Sequence, residues 1–167
     1  MELARFWRHL LHSPATLRRC FSEAALRRIE SAVHASEKEH SGEIRIAVEG
    51  DLGLRALLRD KTPRQRALEV FSHLGVWDTP RNNGVLVYLL LADRDVEIVA
   101  DRGFNGLVEA AEWEAVCVLM EAEFAKGHWE QGLVSGVEAV SRIVATHFPA
   151  FDRDLDSVGL PNRPTLL

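Results

Sequence analysis

Six polar residues between positions 82 and 112 could together bind a divalent cation and an anionic group. Carboxylate and amide oxygens are the ligands that Ca²⁺ and Mg²⁺ prefer, and an arginine suits a phosphate or carboxylate group. The candidates are Asp101, Glu109 and Glu112 as metal ligands, Asn82 and Asn83 as further ligands, and Arg102 as the anion-binding residue.

Each of these residues also has a structural explanation, which the sequence leaves open. Asn82-Asn83-Gly84 is typical of a turn. Glu109 and Glu112 would be favourable charges at the N-terminus of a helix. Asp101 and Arg102 could pair with each other, and an exposed pair of this kind contributes little to stability. The residues alone do not decide between a functional and a structural cluster.

Several other chemistries lack their sequence motifs. The chain has no GxGxxG or GxxxxGK[ST] pattern for nucleotides and no HExxH pattern for zinc. The segment 132–136 does not match the GxSxG pattern of hydrolases and lies inside a predicted helix. Cys20 and Cys117 are far apart, so no CxxC metal or redox motif exists.

The bulk composition indicates one globular domain. The chain has 167 residues, of which 47% are hydrophobic, enough for a core. Its 20 basic and 25 acidic residues give a net charge of −5, which argues against non-specific nucleic-acid binding. No run of about 18 apolar residues predicts a transmembrane helix, and the charged start is a poor signal peptide. We therefore expect a cytoplasmic protein that could also be peripheral to a membrane.

The pattern of apolar residues predicts alternating strands and helices. Strict alternation over 43–49 predicts a half-buried strand, whereas the continuous apolar run over 85–92 predicts a strand covered on both faces. Thr62 and Pro63 are typical of a helix start. The predicted helices span about 22–39, 62–75, 110–126 and 129–147, and the predicted strands span 43–49, 85–92 and 96–100.

This order of elements predicts an α/β fold, a three-layer α/β/α sandwich with a small mixed sheet. The strand–helix–strand unit should be a parallel crossover, and the short connection at 93–95 forces an antiparallel hairpin. Because two strands run one way and the third returns, the six candidates should gather at one edge of the sheet. Asp51, Asp93 and Asp95 should lie at the opposite edge, where a solvated hairpin tip is the favoured explanation for Asp93 and Asp95.

The chain divides into three predicted regions. Residues 1–20 contain a short amphipathic segment that could dock on its own domain, on a membrane or on a partner, and docking on the domain is favoured. Residues 21–149 form the domain itself. Residues 150–167 have no hydrophobic period and are predicted to be a loose C-terminal tail.

Over about residues 23–147 the chain resembles the TPM domain family. The similarity lies in SGEIRIAVE, in PRNNGVLVYLLLADRDVEIVADRGF and in FAKGHWEQGLVSGVEAV. The family includes a plant thylakoid protein tied to photosystem repair and many bacterial proteins. The resemblance implies an α/β/α sandwich, divalent-cation binding (Ca²⁺ or Mg²⁺) and, for some members, weak acid-phosphatase activity. Carried over by position, Asn82, Asn83, Asp101 and the loop 103–109 fall in the family's polar cleft.

Two functions remain open on this basis. One is a non-enzymatic accessory or quality-control factor for a membrane or multi-protein complex, which the amphipathic start, the uneven charge and the missing nucleophile favour slightly. The other, which the resemblance implies, is a weak metal-dependent phosphatase built on the six candidates. A bound cation would neutralise the phosphate and lower the pKa of a water molecule, which would attack because the set contains no obvious nucleophile. The sequence predicts neither the partner nor the oligomeric state.

Overall fold

The structure is a computed structural model that describes Arg5, Trp7, His9, residues 14–150 and residues 159–167. Its helices are α1 (Pro14–Cys20), α2 (Glu23–Ser36), α3 (Leu54–Leu58), α4 (Pro63–His73), α5 (Ala110–Ala125) and α6 (Trp129–His147). Its strands are β1 (Glu43–Glu49), β2 (Gly84–Leu90), β3 (Asp95–Ala100) and β4 (Thr165–Leu166), and a 3₁₀ turn spans Arg102–Phe104.

The four strands form one mixed sheet in the order β3-β2-β1-β4. β1 and β2 are parallel, with Glu43 opposite Gly84. β3 returns antiparallel to β2, with Asp95 opposite Leu90. The predicted combination of a parallel strand–helix–strand unit and an antiparallel hairpin is confirmed.

Helices cover both faces of this sheet. On one face α2, α5 and α6 pack against a core that includes Ile46 and Val87. On the other face α3 and α4 pack against a second core that includes Ala47 and Tyr88. The α/β/α sandwich predicted from the order of elements is therefore present, and β2 is fully buried along its length.

Local side-chain bonds fix where the helices begin. Thr62 Oγ1 accepts a hydrogen bond from the Gln65 amide at 3.1 Å, and Gln65 Oε1 accepts one from the Thr62 amide at 3.0 Å. This reciprocal capping box satisfies two backbone donors at the start of α4. Ser22 Oγ similarly accepts from the Ala25 amide at the start of α2.

The prediction of a half-buried β1 was wrong. Its polar residues Arg45 and Glu49 are each only 8% exposed. A buried polar side chain that is bonded to partners follows the same alternating pattern as one that faces water. Here the C-terminal segment covers Arg45, and α4 covers Glu49.

The prediction of a loose tail does not hold for residues 159–167. Thr165 and Leu166 form β4, which pairs with Ala47 and Val48 of β1. Residues 151–158 lie outside the described part of the chain. The predicted amphipathic segment at residues 1–20 also lies partly outside it, although the described Arg5 and His9 contact the domain. Within the described residues, no helix has both the length and the apolar character needed to cross a membrane.

Candidate functional site

Four of the six predicted site residues meet at one edge of the sheet. Arg102 Nε donates to Asn82 Oδ1 at 2.9 Å, and the Gly103 amide donates to the Asn82 carbonyl at 2.9 Å. A Cβ at Gly103 would lie 2.4 Å from that carbonyl oxygen, so glycine is needed for this close approach. Asn82 and Asp101 therefore lie on the same side of the molecule, as chain direction predicts.

Asn83 joins the starts of β1 and β2. It is 1% exposed, and its Nδ2 donates to the Ser41 carbonyl at 3.1 Å. Its backbone amide donates to Thr79 Oγ1 at 2.9 Å. These contacts give Asn83 a structural role, because a buried side-chain amide must satisfy its donors within the protein.

The acidic candidates are engaged differently. Asp101 Oδ1 accepts from the Arg102 amide at 2.7 Å, while its Oδ2 is buried and has no hydrogen-bond partner among the described residues. Glu112 Oε1 accepts from the Glu109 amide at 3.0 Å, at the first turn of α5. Among the acidic candidates, Asp101 thus has a buried oxygen without a partner in the described part of the chain.

This arrangement does not fit a cation held by several acidic side chains. Among the described residues, no group of three or more His, Cys, Asp or Glu side chains is placed to hold a metal ion. Binding of Ca²⁺ or Mg²⁺ by Asp101, Glu109, Glu112, Asn82 and Asn83 stays a prediction.

At the opposite edge, Asp93 is buried instead of forming a solvated hairpin tip. Its side chain is 9% exposed, and its Oδ2 accepts from Arg5 Nε at 2.8 Å. His9 Nδ1 accepts from the Leu52 backbone amide at 3.0 Å, and its Nε2 lies 3.1 Å from Asp93 Oδ1. This contact fixes the described N-terminal positions on the domain.

An acidic groove runs along the outer edge of β3. It has a volume of about 430 Å³ and lies between β3 and α5, with Arg64 of α4 at its other wall. We call it the β3 groove. Its acidic residues are Asp95, Glu97, Glu114 and Glu121, and its apolar wall includes Trp113 and Val118.

The carboxylates of the β3 groove disfavour one another's charge. Burial raises the pKa of Asp95 from 3.8 to about 6, and repulsion from Glu97, Glu121 and Asp93 adds to the rise, while Arg5 opposes it. Burial also raises the pKa of Glu97, against the opposing effect of Arg64. A cation in this groove would relieve this repulsion.

Two side chains of the groove occupy the edge of β3. Arg64 Nη1 donates to the Ile98 carbonyl at 2.6 Å and lies 3.4 Å from Glu97 Oε2. Burial raises the pKa of the Cys117 thiol to about 12, so this cysteine stays protonated and is a poor nucleophile. The groove is therefore suited to binding and not to thiolate chemistry.

A separate buried network joins α4 to the sheet. Tyr88 donates its hydroxyl proton to Glu49 Oε2 at 2.7 Å, and Arg66 forms a two-pronged contact with Glu49 at 2.8 and 3.0 Å. Burial, followed by the charge of Glu49, raises the pKa of Tyr88. The three groups satisfy one another, which indicates a structural network.

The sequence profile of the TPM domain matches residues 17–143. The chain belongs to the TPM domain family. The NMR structure of the BA42 protein from the psychrophilic bacterium Bizionia argentinensis is similar to it, with 29% identity and a TM-score of 0.74. That match covers 88% of this chain and 95% of BA42.

A second solved structure with the same fold is the solution NMR structure of the N-terminal domain of a P. gingivalis protein. Its identity is 23% and its TM-score is 0.61, over 76% of this chain and 78% of that one. No curated protein matches the chain. The matched TPM domain contains both the sheet edge that holds Asn82 and Asp101 and the β3 groove, whereas the segment 159–167 lies beyond it.

Sequence reasoning missed the β3 groove of this TPM domain. Its signal was present: Asp95 and Glu97 lie on the same face of a strand, and Glu114 and Glu121 are seven residues apart on a helix. What the sequence did not give is the packing of α5 beside β3, which brings these two pairs together.

Proposed function

We propose that this TPM domain is a non-enzymatic accessory domain that binds a basic segment of a partner protein in the β3 groove. The observation that carries the proposal is the convergence of four carboxylates on a groove with an apolar wall. The proposal develops the accessory role predicted from the sequence and gives it a surface.

The charge of the groove favours a cationic occupant. Asp95, Glu97, Glu114 and Glu121 face a single basic side chain among the described lining residues, Arg64. The guanidinium of Arg64 already contacts the Ile98 carbonyl and Glu97. A lysine or arginine side chain from a partner would add the missing positive charge and favour the ionised form of Asp95.

The apolar wall favours a peptide segment over a free ion. Trp113 is half-buried and packs edge-on against Phe104, with the ring centres 5.5 Å apart. Val118 is 58% exposed. Long basic side chains cover apolar surface with their aliphatic stems while their charged ends contact acids. Lysine or arginine alternating with apolar residues is therefore the pattern that fits.

Fluorescence anisotropy with a labelled peptide of alternating lysine and valine residues tests the proposal. We expect this peptide to bind and a matched glutamate–valine peptide not to bind. Replacing Glu97→Gln and Glu121→Gln together should weaken binding at least tenfold. Because burial already disfavours the charge of Glu97, the glutamine variant should still fold.

A second surface depression supplies a matched control. It lies between α2 and α6 and also contains two acids, Glu39 and Glu138. Replacing both by glutamine changes the net charge as much as the Glu97 and Glu121 variant does. Because these two acids lie outside the β3 groove, peptide binding should fall only slightly. An equal loss in both double variants would reduce the effect to net charge and contradict the proposal, as would no binding at all.

The phosphatase alternative is tested separately with para-nitrophenyl phosphate, with and without Mg²⁺ or Ca²⁺. Its support is the buried Asp101 Oδ2 without a described partner. The accessory proposal expects no turnover above the buffer rate. Cation-dependent turnover that Asp101→Asn abolishes would favour the phosphatase.

A further inference from the structure

The outer edge of β1 holds an extended segment that lies outside the span matched by the TPM domain. Thr165 and Leu166 pair with Ala47 and Val48, and the Leu167 amide donates to the Val48 carbonyl at 2.9 Å. This edge lies on the opposite side of the sheet from the β3 groove. Strand addition of this kind is a common way for proteins to bind extended peptides.

Arg45 holds this segment by hydrogen bonds, mostly to its backbone. Its guanidinium donates to the carbonyls of Pro161 and Arg163 and, at 2.7 Å, to Thr165 Oγ1. The Arg45 side chain is buried, so its donors depend on these acceptors. Every peptide has backbone carbonyls, and the Arg45 guanidinium would donate to those of any extended segment in this position.

Acidic residues beside the strand recognise the arginine of the segment. Arg163 forms a two-pronged contact with Glu23, at 3.1 and 2.8 Å, and lies 3.9 Å from Glu30. Glu43 Oε2 accepts from the Leu160 amide at 3.2 Å. The site therefore binds both the backbone of the segment and a basic side chain that lies two residues before the paired strand.

We propose that the outer edge of β1 is a binding site for an extended, arginine-bearing segment of a partner protein, and that residues 160–167 are its displaceable occupant within the same chain. β4 pairs with only two of the seven residues of β1. A partner strand that pairs along more of β1 would form backbone hydrogen bonds that the tail does not form.

The proposal is tested on the full chain with a fluorescent peptide of the sequence GLPNRPTLL, which repeats residues 159–167. The covalently linked tail competes with the peptide at a high effective concentration. The variant Arg163→Glu places like charges opposite Glu23 and Glu30 and should release the tail. We expect the peptide to bind this variant at least tenfold more tightly than the unaltered chain.

Charge exchange at Glu23 shows whether the peptide occupies the same position as the tail. A peptide with glutamate in place of its arginine should bind the Arg163→Glu chain at least tenfold more weakly than GLPNRPTLL. Replacing Glu23→Arg in the otherwise unaltered chain puts like charges at positions 23 and 163, which should also release the tail, and this chain should prefer the glutamate peptide. This reversal is a readout that a general loss of folding does not produce.

Three outcomes would overturn the proposal. They are absence of peptide binding to the Arg163→Glu chain, equal binding of the two peptides, and dimerisation of the unaltered chain through its tail at the same concentrations. The last would identify a second copy of this chain as the occupant. Failure here would leave the β3 groove untouched, because the lysine–valine peptide tests a different edge.

Discussion

Asp95→Asn should stabilise the protein at neutral pH. The Asp95 carboxyl has a pKa raised from 3.8 to about 6 by burial and by the acids Glu97, Glu121 and Asp93 around it. The folded state therefore holds the proton more tightly than the unfolded chain. The stability that this proton contributes is present below about pH 4 and is lost as the pH rises through about 6.

The magnitude follows from the pKa. At about 1.4 kcal/mol per unit of pKa shift, the rise in the pKa of Asp95 corresponds to roughly 3 kcal/mol. Because the carboxylate is partly exposed, solvent screening lowers the expected gain in stability to about 1 kcal/mol. Asparagine keeps the shape of the protonated acid and removes the charge. The gain should therefore appear at pH 7.5 and shrink at pH 4.

Urea unfolding followed by tryptophan fluorescence at the two pH values measures this difference. The exposed Asp78 provides the control, since Asp78→Asn removes an equal charge away from the β3 groove. A destabilised Asp95→Asn protein at pH 7.5 would refute the reasoning. A gain of the same size at both pH values would also refute it, because the effect would then not come from the charge.

Two further substitutions test the packing and the buried network. Gly84→Ala would place a Cβ 1.9 Å from the Val76 carbonyl oxygen, and we expect a loss of about 3 kcal/mol in the free energy of unfolding. Gly53→Ala, with no atom within 4 Å of the added carbon, should change stability by less than about 0.5 kcal/mol, and equal losses at the two sites in urea unfolding would contradict the described backbone. Tyr88→Phe removes the 2.7 Å hydrogen bond to Glu49, and thermal unfolding should show a loss of about 1.5 kcal/mol; an unchanged melting temperature would mean that this bond contributes nothing.

The sheet was largely predictable from the sequence because its signals are local. The turn chemistry before Gly84 marks where β2 begins, and the connection at 93–95 is too short for anything except a hairpin. Chain direction then places Asn82 and Asp101 at one edge, as the structure confirms. No contact between distant segments had to be known for these steps.

The environment of β1 was not predictable from its own residues. Arg45 and Glu49 alternate with apolar residues, as solvent-facing residues do, yet distant groups bury both. The partners of Arg45 are at positions 161–165, more than a hundred residues away. A pattern of period two gives the face of a side chain and not what covers that face.

The sequence predicted where the candidate site lies, but it did not predict how the polar groups of the site are used. The side chains that do converge are those of Asn82, Asn83, Asp101 and Arg102. Most of their hydrogen-bonding groups are used within the fold, as in the bond from Arg102 to Asn82. The β3 groove depends on the packing of α5 beside β3, which no local pattern encodes. Its acids were visible in the sequence only as charges on two separate elements.

The most direct test of the β3 groove is to follow the backbone amide signals of the ¹⁵N-labelled protein while the lysine–valine peptide is added. We predict that the signals of residues 95–98 and 113–121 move in proportion to peptide added, and that those around Asn82 and Asp101 stay in place. Movement confined to the Asn82 edge, or no movement anywhere, would contradict the assignment of partner binding to this groove.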